Sequence, residues 1–145
     1  MKISTKGRYA LRLMLDLAEH QNEGFVALKD VAERQGISKK YLEQIVPLLN
    51  KSKVLRTTRG YQGGYMLAKS PEHYTVGDVL RITEGSLAPV SCLDDDVNLC
   101  DRADTCMTLG VWQGLYKAVT EYLDSITLQD ILDKGHSLAA DEYYI

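Results

Sequence analysis

Apolar residues recur along this chain with a helical period almost throughout, and with a strand period in one short stretch. Tyr9, Leu13 and Leu17 stand four residues apart, with Ala10, Met14 and Ala18 beside them, which predicts a helix over residues 5–20. Asn22-Glu23-Gly24 breaks it. Val31 and Ala32 mark the inner side of a short helix over 28–36, ending at Gly36, a residue suited to a C-cap. Ser38 is placed to cap a further helix carrying Leu42, Ile45 and Val46 on one face. Pro47 cannot donate to the carbonyl of Glu43, so a kink is expected there and the useful part of this helix is taken as 38–46. Two short helices joined by a tight turn have the spacing of a helix-turn-helix unit.

Residues 54–58 and 65–67 predict two strands around a glycine-rich tip, a β-hairpin wing. No Gly-Lys-Ser/Thr follows the glycines, which excludes a phosphate-binding P-loop. A short helix over 76–84 stops at Gly85. Further on, Trp112, Leu115, Val119, Tyr122, Leu123 and Ile126 recur at three- and four-residue steps, which predicts one amphipathic helix of about 18 residues. In so small a chain a stripe of that length has two available partners: its copy in a homodimer, or the first helix of its own chain. The homodimer is the expectation adopted. No internal repeat is apparent. The expected fold class is mainly α with a small β wing: a winged helix-turn-helix domain over 1–85, a cysteine-rich loop over 86–106, and a long C-terminal dimerisation helix with a tail over 107–145.

Charge sharpens this picture. The formal net charge is -3, yet residues 1–69 hold 13 Lys or Arg and 6 Asp or Glu, a net +7, while residues 70–145 hold 4 and 14, a net -10. The basic half carries the helix-turn-helix pattern, so a polyanion is its expected partner. Lys39, Lys40, Lys51, Lys53, Arg56 and Arg59 are candidates for neutralising phosphates. Base readout falls to Ser38, Tyr41, Glu43 and Gln44, because Glu accepts from cytosine and Gln pairs with adenine in the major groove. Arg59, with Gly60 at the flexible wing tip, is placed to enter a minor groove.

The three cysteines, Cys92, Cys100 and Cys106, all fall in one segment together with Asp94, Asp95, Asp96, Asp101 and Asp104. The amino terminus interleaves charges with apolar residues, unlike a signal peptide, and no apolar run approaches a membrane span, so a cytoplasmic, reducing setting is expected. There, clustered cysteines read as metal binding or redox chemistry rather than as disulfides. Aspartates so close should raise the pKa of free thiols, and a bound cation reverses that balance. There is no Ser-His-Asp set, no paired carboxylates and no cofactor fingerprint, which argues against an enzyme. A bare electron carrier would have no use for the basic half.

"MKISTKGRYAL", "ISKKYLEQ" and "RGYQGGYML" together resemble the IscR, NsrR, RirA and CymR group of bacterial winged-helix transcription regulators, over nearly the whole chain. The resemblance implies a homodimer on a double-stranded DNA operator, probed by Ser38, Tyr41, Glu43, Gln44 and Arg59. Tyr61 and Gln62 stand where IscR commonly has Pro-Gly in its Pro-Gly-Gly-Gly wing. Cys92, Cys100 and Cys106 fall where IscR-like members hold an iron-sulfur cluster, 2Fe-2S or 4Fe-4S. Where IscR supplies a histidine three residues after its third cysteine, this chain has Leu109. A fourth ligand is then open: a loop aspartate, His20, His73 or His136, a partner-chain residue, or an exogenous molecule. Structural zinc and free thiols are the other readings of the segment. The C-terminal "EYLDSITLQDIL" and "DEYYI" resemble CymR more, a member without the cluster cysteines that works with cysteine synthase. That likeness implies a docking role for the tail Tyr143, Tyr144 and Ile145.

Overall fold

The computed structural model describes residues 1–143, with side chains to residue 140. Helix α1 (Thr5–Glu19) begins where the Ser4 hydroxyl accepts from Gly7 N–H. It buries Ala10, Leu13, Met14 and Leu17 as the centre of the core. Helix α2 (Leu28–Gln35) ends at Gly36, whose φ of 63° is the left-handed conformation that a glycine C-cap supplies. Ser38 caps α3 (Lys39–Lys51) by accepting from Tyr41 N–H at 3.0 Å. Strands β1 (Leu55–Thr58) and β2 (Gly64–Leu67) pair antiparallel, with Leu55 opposite Leu67 and Thr58 opposite Gly64. Helix α4 (Val76–Glu84) starts in a reciprocal capping box of Thr75 and Asp78.

Helix α3 extends beyond the 38–46 expected. It runs unbroken through the proline to Lys51. Glu43 and Pro47 both lie on the exposed side, where a carbonyl left without its helical donor costs least because water can take the donor's place. The buried side, Leu42, Ile45, Val46 and Leu49, is continuous across the proline, and its burial holds the helix together.

The C-terminal part also departs from the single long helix expected. Helix α5 (Leu109–Asp124) stops, the chain turns, and a second helix of equal length, α6 (Leu128–Tyr143), returns to pack on α1. Leu128 is fully buried in the main core and Leu132 packs beside it. Thr127 and Asp130 form the same reciprocal bonds as Thr75 and Asp78, 3.0 Å each way. The two helix starts pair across an antiparallel bridge: Val76 N–H donates to Ile126 O and Leu128 N–H to Tyr74 O, both at 2.9 Å. The short segments "TVGDVL" and "TLQDIL" are thus a local repeat that pattern reading passed over. Tyr144, Ile145 and the side chain of Tyr143 lie outside the described residues, and with them the expected docking tail. No helix among the described residues is long and apolar enough to cross a membrane.

Candidate nucleic-acid interface and cysteine loop

The exposed side of α3 carries Lys39, Lys40, Glu43 and Gln44, with Ser38 at its start. Arg56, Arg59 and Gly60 are exposed on the wing. A groove of about 680 Å³ opens between them, and its walls include Lys39, Glu43, Arg59 and Gly60. Lys39 lies 3.9 Å from Glu43, one turn along, which holds the glutamate towards the solvent side of the helix.

Lys29 at the start of α2, Asn50 of α3 and Thr57 of β1 also line this groove. Sequence reasoning missed all three. Asn50 accepts from the Thr57 hydroxyl at 3.2 Å, tying the end of α3 to the wing. The only available signal for Lys29 was its place in the first turn of a helix-turn-helix unit, where the first helix crosses a backbone.

Tyr41 is half-buried rather than presented freely. Its ring meets Tyr9 of α1 edge to face, with centroids 5.3 Å apart. Arg12 stacks on Tyr9 at 5.4 Å and its guanidinium donates to the Gln35 side chain and carbonyl, beside the turn. The first residues of α3 are therefore oriented from α1. Beneath the turn, Asp16 is buried and accepts from Arg34 at 2.7 and 3.1 Å and from Gln35 at 2.9 Å. The Asp16 carboxylate raises the Arg34 pKa above its ordinary value.

The wing is anchored independently of its own two strands. Val26 and Tyr65 exchange backbone hydrogen bonds of 2.8 Å in each direction. Gly64 permits this approach, because a Cβ there would overlap the Val26 carbonyl.

The cysteine loop runs between Gly85 and α5. Leu87 is buried against Val76 and Leu80 and fixes its start. Cys92 lies in a short helical turn at Ser91–Leu93 and is half-buried, while Cys100 and Cys106 are exposed. All three thiols are free. Among the described residues no three His, Cys, Asp or Glu side chains are gathered for a metal ion. In kind, three uncommitted thiols on a loosely packed loop suit iron or zinc; in position, this single chain does not converge them. His20 is engaged with the Asp16 carbonyl at 2.8 Å, His73 with Ser70 at 2.8 Å, and His136 with Glu19 at 3.4 Å. Leu109 is the first residue of α5.

The expectation of raised thiol pKa values fails at Cys106. Its pKa is lowered, chiefly by a hydrogen bond with the Thr108 hydroxyl at 3.4 Å, and further by backbone N–H groups at the start of α5. The aspartates extend into water, and local donors at a helix N-terminus outweigh them.

Helix α5 carries two apolar stripes rather than one. Trp112, Tyr116, Val119 and Leu123 are half-buried, and Tyr116 and Leu123 pack on the second small core around Val76, Leu80 and Leu87. Val111, Leu115, Ala118 and Tyr122 form a second row at helical spacing and are exposed, Tyr122 at 65%.

Residues 3–134 match the family model Rrf2, described as iron-dependent transcriptional regulator. The chain belongs to the Rrf2 family. It is 42% identical to the protein rrf2 of Nitratidesulfovibrio vulgaris, over 91% of this chain and 87% of that one. Among solved structures it is similar to T. potens IscR, with a TM-score of 0.76 and 44% identity over 93% and 88% of the two chains. It is equally similar in shape to B. subtilis CymR, a global cysteine regulator, with a TM-score of 0.76 and 37% identity over 92% and 98%. The Rrf2 chain is thus a transcription regulator with the winged-helix fold, and its relatives include both an IscR and a CymR.

Proposed function

We propose that this chain is a homodimeric repressor that binds a pseudo-palindromic operator and senses iron-sulfur status, redox state or nitric oxide through Cys92, Cys100 and Cys106. The observation that carries the DNA reading is the groove between α3 and the wing, walled by Lys29, Lys39 and Arg59 on the basic half of the chain. Lys39, Lys40 and Arg56 meet phosphates, while Ser38, Tyr41, Glu43 and Gln44 face base edges in the major groove. Arg59 and Gly60 approach the adjacent minor groove. The uncovered stripe Val111, Leu115, Ala118 and Tyr122 supports pairing of α5 with its copy, which sets the distance between the two recognition helices.

Cys92, Cys100 and Cys106 would hold an iron-sulfur cluster, which supplies a redox-sensitive and labile centre when bound. The loop's own part is to close around it and so shift α5. A second reading, a cluster-free thiol switch of the CymR kind, is favoured by the lowered pKa of Cys106. Protein purified without oxygen separates the two: visible charge-transfer absorption with matching iron and sulfide supports the cluster, and a colourless protein with three titratable thiols supports the switch. The DNA reading is tested by affinity for an enriched duplex against salt. A steep negative slope that falls by about 0.9 in Lys39→Ala supports it, and equal affinity for heparin and every duplex rejects it.

A further inference from the structure

The wing tip carries an aromatic ring for which the fold has no use. Residues 60–63 form a tight turn closed by Gly63 N–H donating to Gly60 O at 2.9 Å. Gly60 takes φ 105°, and a Cβ at Gly63 would lie 2.8 Å from the Thr58 carbonyl oxygen and 2.9 Å from that of Gly60. Both glycines are therefore required for the turn, and Tyr61 sits at its first corner. Tyr61 is fully exposed, at 104% of its reference area. It lines the same groove as Lys29, Lys39 and Arg59.

A flat ring with a hydroxyl tip is amphipathic. Held on a rigid turn, it loses little conformational freedom on docking. On the side facing α3 its partner should offer apolar edges and oxygen acceptors close to negative charge, because Lys29, Lys39 and Arg59 outnumber Glu43 there, whereas Glu23 and Asp30 line the hollow on the ring's other side. The walls of a DNA minor groove have that composition: deoxyribose carbons, base acceptors and phosphates. We infer that Tyr61 packs its ring against the deoxyribose wall of the minor groove beside Arg59, as an apolar wedge that adds affinity without adding charge.

This rests on the proposed DNA reading, and the experiment separates the two. Full-length protein, a duplex enriched from a random pool, and the variants Tyr61→Ala, Tyr61→Phe and Arg59→Ala are compared by titration across salt and by hydroxyl-radical footprinting. Tyr61→Ala should weaken binding about tenfold with an unchanged salt slope, and protection of the sugars facing the wing should be lost. Tyr61→Phe should keep most of the affinity, and Arg59→Ala should flatten the slope. Because Tyr61 is fully exposed, its melting temperature serves as a folding control that should not move. Wild-type affinity and footprint in Tyr61→Ala would overturn the inference while leaving the DNA reading intact. Failure of the wild-type protein to prefer any duplex would overturn both.

Discussion

Replacing Gly64 with alanine tests how the wing is held. Gly64 is buried, and its Cβ would overlap the Val26 carbonyl and lie 3.0 Å from Ala27 N. Those neighbours are backbone and cannot rotate aside as a side chain would. The clash is relieved only by moving β2 off Val26, which breaks both 2.8 Å bonds between Val26 and Tyr65. Two net backbone hydrogen bonds are worth about 1–3 kcal/mol. The smaller unfolded-state entropy of alanine returns about 0.4–1 kcal/mol. The net loss is then about 1–2 kcal/mol, or roughly 3–6 °C in melting temperature for a chain of this size. A two-stranded ribbon is marginal alone, so freeing it should also release Arg59 and weaken operator binding by about tenfold. Urea unfolding followed by circular dichroism, with DNA titration alongside, measures both. Gly135→Ala in exposed α6, where nothing lies within 4 Å of the new Cβ, should instead gain about 1 kcal/mol. If Gly64→Ala unfolds and binds as the wild type does, the Val26 bridge does not hold the wing.

Asp16→Ala should cost about 2 kcal/mol, because Arg34, 37% exposed, regains water when the buried carboxylate goes. Arg34→Met should cost more, about 3 kcal/mol, since it removes the cation and leaves the buried carboxylate only the Gln35 amide; equal losses in chemical denaturation would contradict this asymmetry. Arg81 lowers the Asp124 pKa through paired 2.8 Å bonds, so the contribution of this half-exposed clip is present above the ordinary carboxylate range. It is lost as pH falls through the lowered value, and wild type and Asp124→Asn should differ at neutral pH yet converge in acid. Parallel stability curves at all pH values would count against it. Alkylation of Cys106 by iodoacetamide should begin at a lower pH in the wild type than in Thr108→Val, read by peptide mass spectrometry. Identical pH profiles would remove Thr108 as the cause.

Local signals made much of the fold legible. Gly36, Ser38 and Gly85 bound their helices through caps and turns that depend on neighbours within four residues. The exposed side of α3 and the place of Arg59 in the turn of the hairpin follow for the same reason, since each depends on pattern within a short stretch. What needed three dimensions was missed. Pro47 marks the end of the useful helix in the sequence because its cost is local, whereas the burial that carries α3 on to Lys51 involves α1 and α4. Lys29, Tyr9 and Arg12 reach the candidate interface from other elements, and no spacing connects them to α3. Helix α6 did leave a signal, the second Thr-x-x-Asp before an apolar run. It is masked because Ile126 continues the three-residue step of the α5 stripe from Leu123 across Asp124 and Ser125, so the apolar period does not register the turn.

The return of α6 changes what a moving cysteine loop would do. A loop followed by a free dimer helix could shift without consequence for the DNA-binding part. Here the loop and α5 are closed between α4 and α6, whose starts are bonded to each other and whose inner faces share the core with α1. The far end of α5 is clipped to α4 by Asp124 and Arg81, and Gly77 lets that carboxylate sit directly on α4. The loop's own root is held as well: Glu84 accepts from Ser4 N–H at 3.0 Å and from its hydroxyl at 2.5 Å, at the start of α1. Helix α1 in turn carries Tyr9, which packs on Tyr41, and Asp16, which holds the end of α2. On the proposed reading, a closure around Cys92, Cys100 and Cys106 that displaced α5 would load the Arg81–Asp124 clip first, and α4 and α1 are the elements that would carry the strain to the helix-turn-helix unit. Asp124→Asn should then loosen any dependence of DNA affinity on the state of the loop, and an unchanged dependence would show that the clip does not transmit it.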